Sequence, residues 1–317
     1  MLQPEPALRP DIASAFEHLK GASILTTATP TERLLAMRDF VDRYGDIEPR
    51  GALSGVEVEE VKVGEIRAEW IVPHLADRNR RLVYIHGGGW VAGSLESHRP
   101  LAARLAASST IPTLLIDYRL APENPFPAGL NDCLTALEFA YSNGPYSSST
   151  GGQVVLAGDS AGANLAAATV LELIARNSRV PDRLALICAA LDGSANTLRG
   201  ESETVKLGNS ELELVMSAYT QGGVDIDDPR ISPLGAPEWM LKRFPPTLLQ
   251  CSLADFLVWD SLMFASRLAA CGKRSVLSTW PQMPHVWHAF LGLLPEARAA
   301  VDEVANFLSA GKYGGTE

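Results

Sequence analysis

Residues 158–162 read Gly-Asp-Ser-Ala-Gly, which places a serine between two glycines. The apolar run 153–157 precedes this pentapeptide, and a helical pattern over Ala161–Asn177 follows it. A serine at such a sharp strand-to-helix turn adopts a strained backbone that only small neighbours permit, and its hydroxyl then projects above the sheet at a helix N-terminus. This context predicts that Ser160 is the nucleophile of an acyl-transfer reaction.

A run of glycines is the second feature, because residues 86–89 read His-Gly-Gly-Gly and follow the apolar run 81–85. Consecutive glycines at a strand end cost chain entropy unless the backbone has to approach another group closely. Such a loop can direct N–H groups at a point where negative charge develops. We therefore predict an oxyanion hole made of the N–H groups of Gly87 and Gly88, with that of Ala161 as a third donor.

A serine hydroxyl is a poor nucleophile at neutral pH, so it needs a base, and the base needs an orienting acid. Two of the six histidines, His285 and His288, lie in the loop after the apolar run Ser275–Trp280. His285 is the preferred base because it lies nearer to the strand end, where the loops of an α/β sheet meet. The other histidines have other expected places: His18, His74 and His98 in solvent, and His86 in the glycine loop, which it orients.

The acid is expected at the same edge of the sheet. Asp255 follows the apolar run Thr247–Ser252 and would project beside Ser160 and His285. Asp260 is the competitor, but its place near the start of a helical pattern favours a structural role, stabilised by the helix macrodipole. The order Ser160, Asp255, His285 is the order of nucleophile, acid and base that accompanies this kind of serine turn.

The composition excludes several other classes of protein. The chain has 317 residues, of which 46% are apolar, so it can bury a substantial core. Its formal net charge is −10 and no run is rich in Lys and Arg, so we expect no nucleic-acid partner. No apolar run approaches the ~18–20 residues that a membrane span requires.

The cysteines indicate a reducing environment. They are widely separated, form no Cys-x-x-Cys pair and lie in apolar runs, so we expect buried free thiols at Cys133, Cys188, Cys251 and Cys271. The first ten residues contain no basic segment followed by an apolar stretch. We therefore expect a cytoplasmic protein, and the predicted chemistry requires neither a metal nor an organic cofactor.

Predicted strands and helices alternate along most of the chain. Residues 56–63 and 66–72 alternate between apolar and polar and predict an antiparallel pair. The later apolar runs predict buried strands, with helical patterns such as 161–177 and 297–308 in the gaps; these runs are 81–85, 111–117, 153–157, 184–191, 247–252 and 275–280. The prediction is an α/β fold with a mainly parallel central sheet and helices on both faces.

Two segments lie outside this alternation. The first contains two helical patterns, capped by Asp11 and by Thr31, and the second carries one helical pattern, which Ser210 caps with Glu213 three residues later. The sequence therefore predicts four regions: N-terminal helices at 1–50, a first part of the core at 51–191, an insertion above the sheet at 192–228 and a second part of the core at 229–317.

Four motifs follow one another along the chain: HGGGW at 86–90, DYRLAPENPFPA at 117–128, GDSAGAN at 158–164 and MPHVWHAF at 283–290. Together they resemble the bacterial family IV esterases, the hormone-sensitive-lipase-like branch of the α/β-hydrolases, in the subgroup with a GDSAG turn. The match extends from Val56 to Leu308. The resemblance implies the α/β-hydrolase fold with a helical cap, built from the N-terminal helices and the insertion. It further implies a carboxylesterase of short to medium acyl chains with the triad Ser160, Asp255 and His285.

Side chains near these motifs are candidates for substrate binding, although plain packing is the alternative for a helical stripe. The candidates are Trp90, Asp159, Val286, Trp287, Leu212, Val215 and Tyr219. The resemblance also suggests a cis peptide before Pro122 or Pro127, and a homodimer formed through the last strand of the sheet, where pairing would cover an open edge.

The chain departs from the family pattern at three places. Asn124 stands where histidine is common, and the acid segment reads DFLVWD rather than DPLRD. At 189–196 the sequence AALDGSAN replaces the Ser-Pro-Trp that shapes the cap entrance in many relatives.

Two alternatives to an esterase follow from the same scaffold. One is a lactonase or amidase on the same triad, and the other is a non-catalytic small-ligand receptor resembling the plant gibberellin receptors, which lack the triad histidine.

Overall fold

The computed structural model describes residues 9–14, 29–46, 53–146, 152–194, 209–221 and 223–311. Its strands are β1 Val56–Val63, β2 Ile66–Pro73, β3 Arg80–Ile85, β4 Thr113–Ile116, β5 Gln153–Asp159, β6 Leu184–Ile187, β7 Thr247–Ser252 and β8 Ser275–Trp280. They form one eight-stranded sheet in the order β1-β2-β4-β3-β5-β6-β7-β8. The pairs β1–β2 and β2–β4 are antiparallel, and every other pair is parallel.

Helices flank this sheet, so the predicted α/β architecture is confirmed. They are α1 Pro30–Asp42, α2 Leu95–Ser109, α3 Ala128–Ser142, α4 Ala161–Ala175, α5 Asn209–Thr220, α6 Glu238–Leu241, α7 Val258–Ala270 and α8 Pro295–Ser309. Helices α2 and α8 pack against each other, as do α3 and α4. None of the helices in the described ranges has both the length and the apolar composition needed to cross a bilayer.

Burial along the strands explains why the sequence patterns differ. Strands β4, β6 and β7 are buried over their whole length, whereas β1 alternates between buried and exposed residues. A parallel strand covered on both faces reads as a continuous apolar run, and an outer antiparallel strand reads as an alternating one. The loops that leave the carboxyl ends of the parallel strands meet at one edge of the sheet, where such folds bind ligands.

Two predicted strands are longer in the sequence pattern than in the fold. The run 111–117 forms only Thr113–Ile116, and the run 184–191 forms only Leu184–Ile187. Cys188, directly after the second strand, has a left-handed backbone with φ of 46° and leaves the extended conformation. Its neighbours remain buried, which is why their apolar character extends the pattern beyond the strand.

The N-terminal cap residue differs from the predicted one. Thr29, not Thr31, begins α1: its hydroxyl accepts the Glu32 N–H, and the Glu32 carboxylate accepts the Thr29 N–H. Pro30 then occupies the first helical position, where its missing N–H costs nothing. Residues 10–14 are helical, but 15–28 lie outside the described residues, and with them the exposed position predicted for His18.

The insertion is described only in part. Its helix, α5, is present as predicted but begins at Asn209, so the predicted cap Ser210 lies within the helix, and residues 195–208 lie outside the described positions. The peptide bonds Ala121–Pro122 and Phe126–Pro127 are both cis, which confirms that expectation.

Candidate active site

Ser160 lies in a strained turn between β5 and α4. Its backbone has φ 52° and ψ −118°, a conformation that is costly for a residue with a side chain. A Cβ atom on Gly158 would lie 2.5 Å from the Gly162 carbonyl oxygen, and one on Gly162 would lie 2.2 Å from the Ile85 carbonyl oxygen. Both glycines are therefore required by close backbone contacts, and they allow the serine to project from the edge of the sheet.

Three side chains form a continuous hydrogen-bonded chain at this edge. His285 Nε2 lies 2.9 Å from Ser160 Oγ, and His285 Nδ1 lies 2.8 Å from Asp255 Oδ2. The second carboxylate oxygen, Asp255 Oδ1, accepts the Leu257 N–H at 3.0 Å. His285 and Asp255 are buried, while Ser160 is partly exposed, so the serine is the member of the chain that a substrate reaches.

The electrostatics of His285 suit a base. Burial disfavours its charged form, but the charge and hydrogen bond of Asp255 outweigh that effect, and the net result raises the pKa of His285. A carboxylate on Nδ1 also places the ring proton there and leaves the lone pair of Nε2 facing the serine hydroxyl.

His288 has different surroundings although it is only three residues away. Its Nε2 lies 2.6 Å from the side-chain oxygen of Gln250, and burial lowers the pKa of His288 to about 3. The neutral His288 imidazole is hydrogen-bonded to an amide inside the core, and no hydrogen bond joins it to a serine hydroxyl or to a carboxylate. The structure thus brings His285, and not the alternative His288, to Ser160.

Asp260, the alternative acid, lies in the first turn of α7 as predicted. Its buried carboxylate accepts the N–H groups of Leu191 and Asp192 at 2.8 and 3.0 Å. Asp260 therefore fixes the backbone at the start of the insertion and is committed to a structural role.

The glycine loop differs in one respect from the prediction. The Gly87 N–H donates to Asp159 Oδ1 at 3.2 Å, so this amide already has an acceptor inside the protein. Gly88 has φ 118° and its carbonyl accepts the N–H groups of Val91 and Ala92. Gly89 has φ 60°, and a Cβ there would lie 2.8 Å from the end of the Met37 side chain. The run of glycines in the sequence includes Gly89, but the run alone does not show which of its N–H groups already has a hydrogen-bond acceptor in the protein.

Asp159, which was predicted as a substrate-binding residue, lies buried beneath the glycine loop. Its buried carboxylate accepts hydrogen bonds from the Tyr84 hydroxyl at 2.7 Å and from the Gly87 N–H. Burial opposes its charge, but His98, the Tyr84 hydroxyl and His86 outweigh burial and lower the pKa of Asp159. The carboxylate is thus an anchor beneath the glycine loop.

Two histidines complete this anchor. His98 was expected in solvent, but it is buried, with Nε2 3.4 Å from Asp159 Oδ2 and Nδ1 2.8 Å from the Ser97 hydroxyl. His86 stacks on Tyr118, and burial lowers its pKa to about 3. His98 was missed because its acid partner is 61 positions away in the chain, whereas His74 is exposed as expected.

The apolar candidates divide into two groups. Trp90 stacks on Tyr219 with ring centroids 5.0 Å apart, and the Val215 side chain would be 3.2 Å from a Cβ on Gly89. Val215 and Tyr219 therefore cover the glycine loop from α5, where Leu212 is also buried. On the other side, Trp287 packs with its ring 5.9 Å from that of Trp280, and Val286 is buried beside it with φ 50°.

Comparison with known proteins identifies the family of the chain. Residues 82–289 match the family model described as the α/β hydrolase fold. An acetyl-hydrolase of Streptomyces hygroscopicus is 34% identical over 284 residues, which are 84% of this chain and 91% of that protein. A carboxylesterase of Mycobacterium tuberculosis is 30% identical over 265 residues, 80% of this chain and 82% of that protein.

The likeness extends to solved structures. The crystal structure of an esterase from the bacterial hormone-sensitive lipase family has a TM-score of 0.82 at 28% identity, covering 96% of this chain and 99% of that one. The chain therefore belongs to the α/β-hydrolase superfamily and, within it, to the hormone-sensitive-lipase-like carboxylic-ester hydrolases.

Proposed function

We propose that this carboxylesterase cleaves short- to medium-chain acyl esters in two steps through an acyl-enzyme on Ser160. The observation that carries the proposal is the unbroken chain from Ser160 Oγ through His285 to Asp255, with heavy-atom separations of 2.9 and 2.8 Å. Hydrogen-bond contact between nucleophile and base, with the base held by a third group, is the arrangement that activates a serine hydroxyl.

In the first step Ser160 Oγ forms a bond to the ester carbonyl carbon while His285 Nε2 takes the hydroxyl proton. The imidazolium then gives this proton to the departing alkoxide as the ester C–O bond breaks. In the second step water attacks the acyl group, His285 takes a proton from it, and the proton returns to Ser160. Asp255 keeps its negative charge throughout and stabilises the imidazolium. No step requires a metal or an organic cofactor.

The oxyanion of each tetrahedral intermediate needs N–H donors that are free to bind it. We assign this role to Gly88, Gly89 and Ala161 instead of the Gly87, Gly88 and Ala161 expected from the motif. The occupied Gly87 N–H supports the change. Ala161 is the first residue of α4, so its N–H has no acceptor within the helix. One such donor contributes about 3–4 kcal/mol to transition-state stabilisation.

Residues 1–50 and 192–228 form the cap in this proposal, and 51–191 with 229–317 form the core. Contacts of α1 and α5 with the glycine loop, through Met37 and Val215, support that division. We assign the acyl pocket to Trp90, Val215 and Tyr219, with Leu212, Val286 and Trp287 as the remaining candidates. The acetyl-hydrolase relative supports a preference for short acyl chains.

A covalent serine probe and a substrate series test the proposal together. A fluorophosphonate should label the parent protein at Ser160 and fail to label Ser160→Ala, which should retain the parent circular dichroism spectrum. Turnover of p-nitrophenyl acetate and butyrate should fall by about 10⁴-fold or more in Ser160→Ala. An anilide and a lactone in the same series separate esterase from amidase and lactonase activity. Undiminished ester turnover by Ser160→Ala would refute the mechanism.

Location and assembly complete the proposal. All four cysteines have free thiols, which supports a reducing compartment such as the cytoplasm. Strand β8 is the last strand of the sheet, and pairing with its counterpart in a second copy would cover its open edge. Sedimentation of the parent and of a Leu277→Pro variant distinguishes a β8-mediated dimer from a monomer.

A further inference from the structure

Cys188 occupies a position between the nucleophile and the acid. It directly follows β6, which lies between β5 and β7 in the sheet. Its N–H donates to the Gln250 carbonyl of β7 at 2.8 Å, and the preceding carbonyl, of Ile187, accepts the Ser160 N–H at 2.8 Å. The backbone on either side of Cys188 is thus bonded to the strand that precedes Asp255 and to the turn that carries Ser160.

The side chain of Cys188 points into the triad. Its sulfur, a carboxylate oxygen of Asp255 and a ring nitrogen of His285 all lie within 4.8 Å of one another, and the three residues are buried. The backbone φ of 46° is a left-handed value that a residue with a Cβ rarely adopts. Such strain persists only where surrounding contacts determine the conformation.

The surroundings of the sulfur suit a bridging thiol. A carboxylate oxygen of Asp255 lies within 4.8 Å of it, and both Asp255 and the backbone N–H of Val286, the residue after His285, act electrostatically on the thiol. Burial, and then the neighbouring Asp255 charge, raise the pKa of Cys188 well above its ordinary value. The group is therefore an S–H donor at neutral pH, and a carboxylate has oxygen lone pairs beyond those used by His285 and Leu257.

We propose that Cys188 is a positioning residue for the catalytic triad, its thiol donating to the Asp255 carboxylate and accepting from the Val286 N–H. The thiol thereby links the acid to the loop that carries the base. This inference rests on the proposed roles of Ser160, Asp255 and His285. It extends them by a fourth side chain that does not touch the substrate.

Removal of the thiol has an electrostatic consequence. A donor to a carboxylate stabilises the charged form, so an Asp255 without the thiol attracts the Nδ1 proton of His285 more strongly. The imidazolium is then harder to deprotonate, and the acid limb of the kcat/KM profile moves to higher pH. The other titratable groups that face Cys188 or His285 are unchanged in every variant; they are Asp159, His288, Cys251, Tyr44 and Tyr84.

The test compares Cys188→Ala, Cys188→Ser and the matched control Cys133→Ala, which removes a buried thiol from α3. We expect Cys188→Ala to lower kcat about threefold to tenfold with little change in KM. Its acid limb should shift upward by about half a pH unit. Cys188→Ser restores a donor and should return both values towards the parent, whereas Cys133→Ala should change neither.

Two results would overturn the inference. One is a Cys188→Ala enzyme with the parent kcat and the parent acid limb. The other is a shift that Cys188→Ser does not reverse, since that would make the effect one of packing. If Cys188→Ala does not fold, Cys188→Gly removes the thiol in a residue that accepts φ of 46° without strain. Failure of the mechanism itself is seen separately, as ester turnover by Ser160→Ala.

Discussion

Within the described part of the chain, two buried pairs of aspartate and histidine lie at the same edge of the sheet. Asp255 and His285 are joined by a hydrogen bond of 2.8 Å, while His98 Nε2 and Asp159 Oδ2 are 3.4 Å apart. By residue type and burial the two pairs are alike. What differs is the third partner of each imidazole: His285 meets the hydroxyl of Ser160, which is partly exposed, and His98 meets the buried hydroxyl of Ser97.

The surroundings of the two carboxylates differ in the same way. The Asp159 carboxylate accepts hydrogen bonds from the Tyr84 hydroxyl and the Gly87 N–H, and these bonds hold the glycine loop in place. Asp255 is fixed by the Leu257 N–H and is directed at a single imidazole. The comparison teaches that an aspartate–histidine pair is placed to activate a nucleophile only where its imidazole reaches an accessible hydroxyl, whereas a pair enclosed by core groups supports the backbone.

The largest expected effect comes from removing the charge of Asp255, the proposed triad carboxylate. Asp255→Asn should lower kcat by about 10³–10⁴-fold, because an amide cannot stabilise the imidazolium and favours the wrong tautomer of His285. Single-turnover and steady-state rates with p-nitrophenyl acetate measure the loss. A decrease of less than tenfold would mean that Asp255 is not the triad acid.

The same substitution in the other pair should act less strongly and by a different route. Asp159→Asn keeps a side-chain oxygen for Gly87 and Tyr84 but removes the charge near His98, so the glycine loop is held less firmly. We expect kcat to fall about 10- to 100-fold. This loss is smaller than that caused by removing an oxyanion donor, because the donors remain and are only held less firmly. The midpoint of the pH profile should stay near that of the parent. An Asp159→Asn loss equal to that of Asp255→Asn would erase the distinction between the pairs.

The pH dependence follows from the raised pKa of His285. The base must be neutral to accept the serine proton, so kcat/KM should fall about tenfold per pH unit below that pKa. Because the Asp255 contact raises the pKa, the midpoint should lie above the ordinary histidine value of ~6.5. Rates measured in buffers of constant ionic strength test this, with His98→Asn as the control that keeps the parent midpoint. A flat profile from about pH 5 to pH 8 would exclude His285 as the base.

The smallest effect on turnover is expected for the second histidine of the loop. His288→Gln removes a neutral imidazole that binds Gln250, so the free energy of unfolding should fall by about 1–3 kcal/mol. Turnover of folded enzyme should stay within about threefold of the parent. Denaturant titration and active-site titration separate the two quantities. A His288→Gln enzyme as inactive as His285→Gln would give both imidazoles a part in the reaction.

Much of the fold could be read from local patterns. Five predicted runs became the strands β3 to β7 because buried strands are apolar throughout, the sixth became the partly exposed β8, and the pair β1–β2 was evident from its alternation. Helix ends are harder to predict: the local pattern favours Thr31 as the cap, yet Thr29 forms the capping box with Glu32. Both threonines satisfy the same local preference, and only the surrounding backbone distinguishes them.

The sequence by itself determined the chemistry, because a serine in a Gly-x-Ser-x-Gly turn, a glycine run and ordered Asp and His residues at strand ends have few other uses. It did not determine which groups were already engaged. That Gly87 is bound by Asp159, and that His98 is buried beside the same carboxylate, depends on residues more than 60 positions apart. The tertiary structure decided these points, because a hydrogen bond depends on distance and direction in space, and a sequence pattern specifies these only for near neighbours.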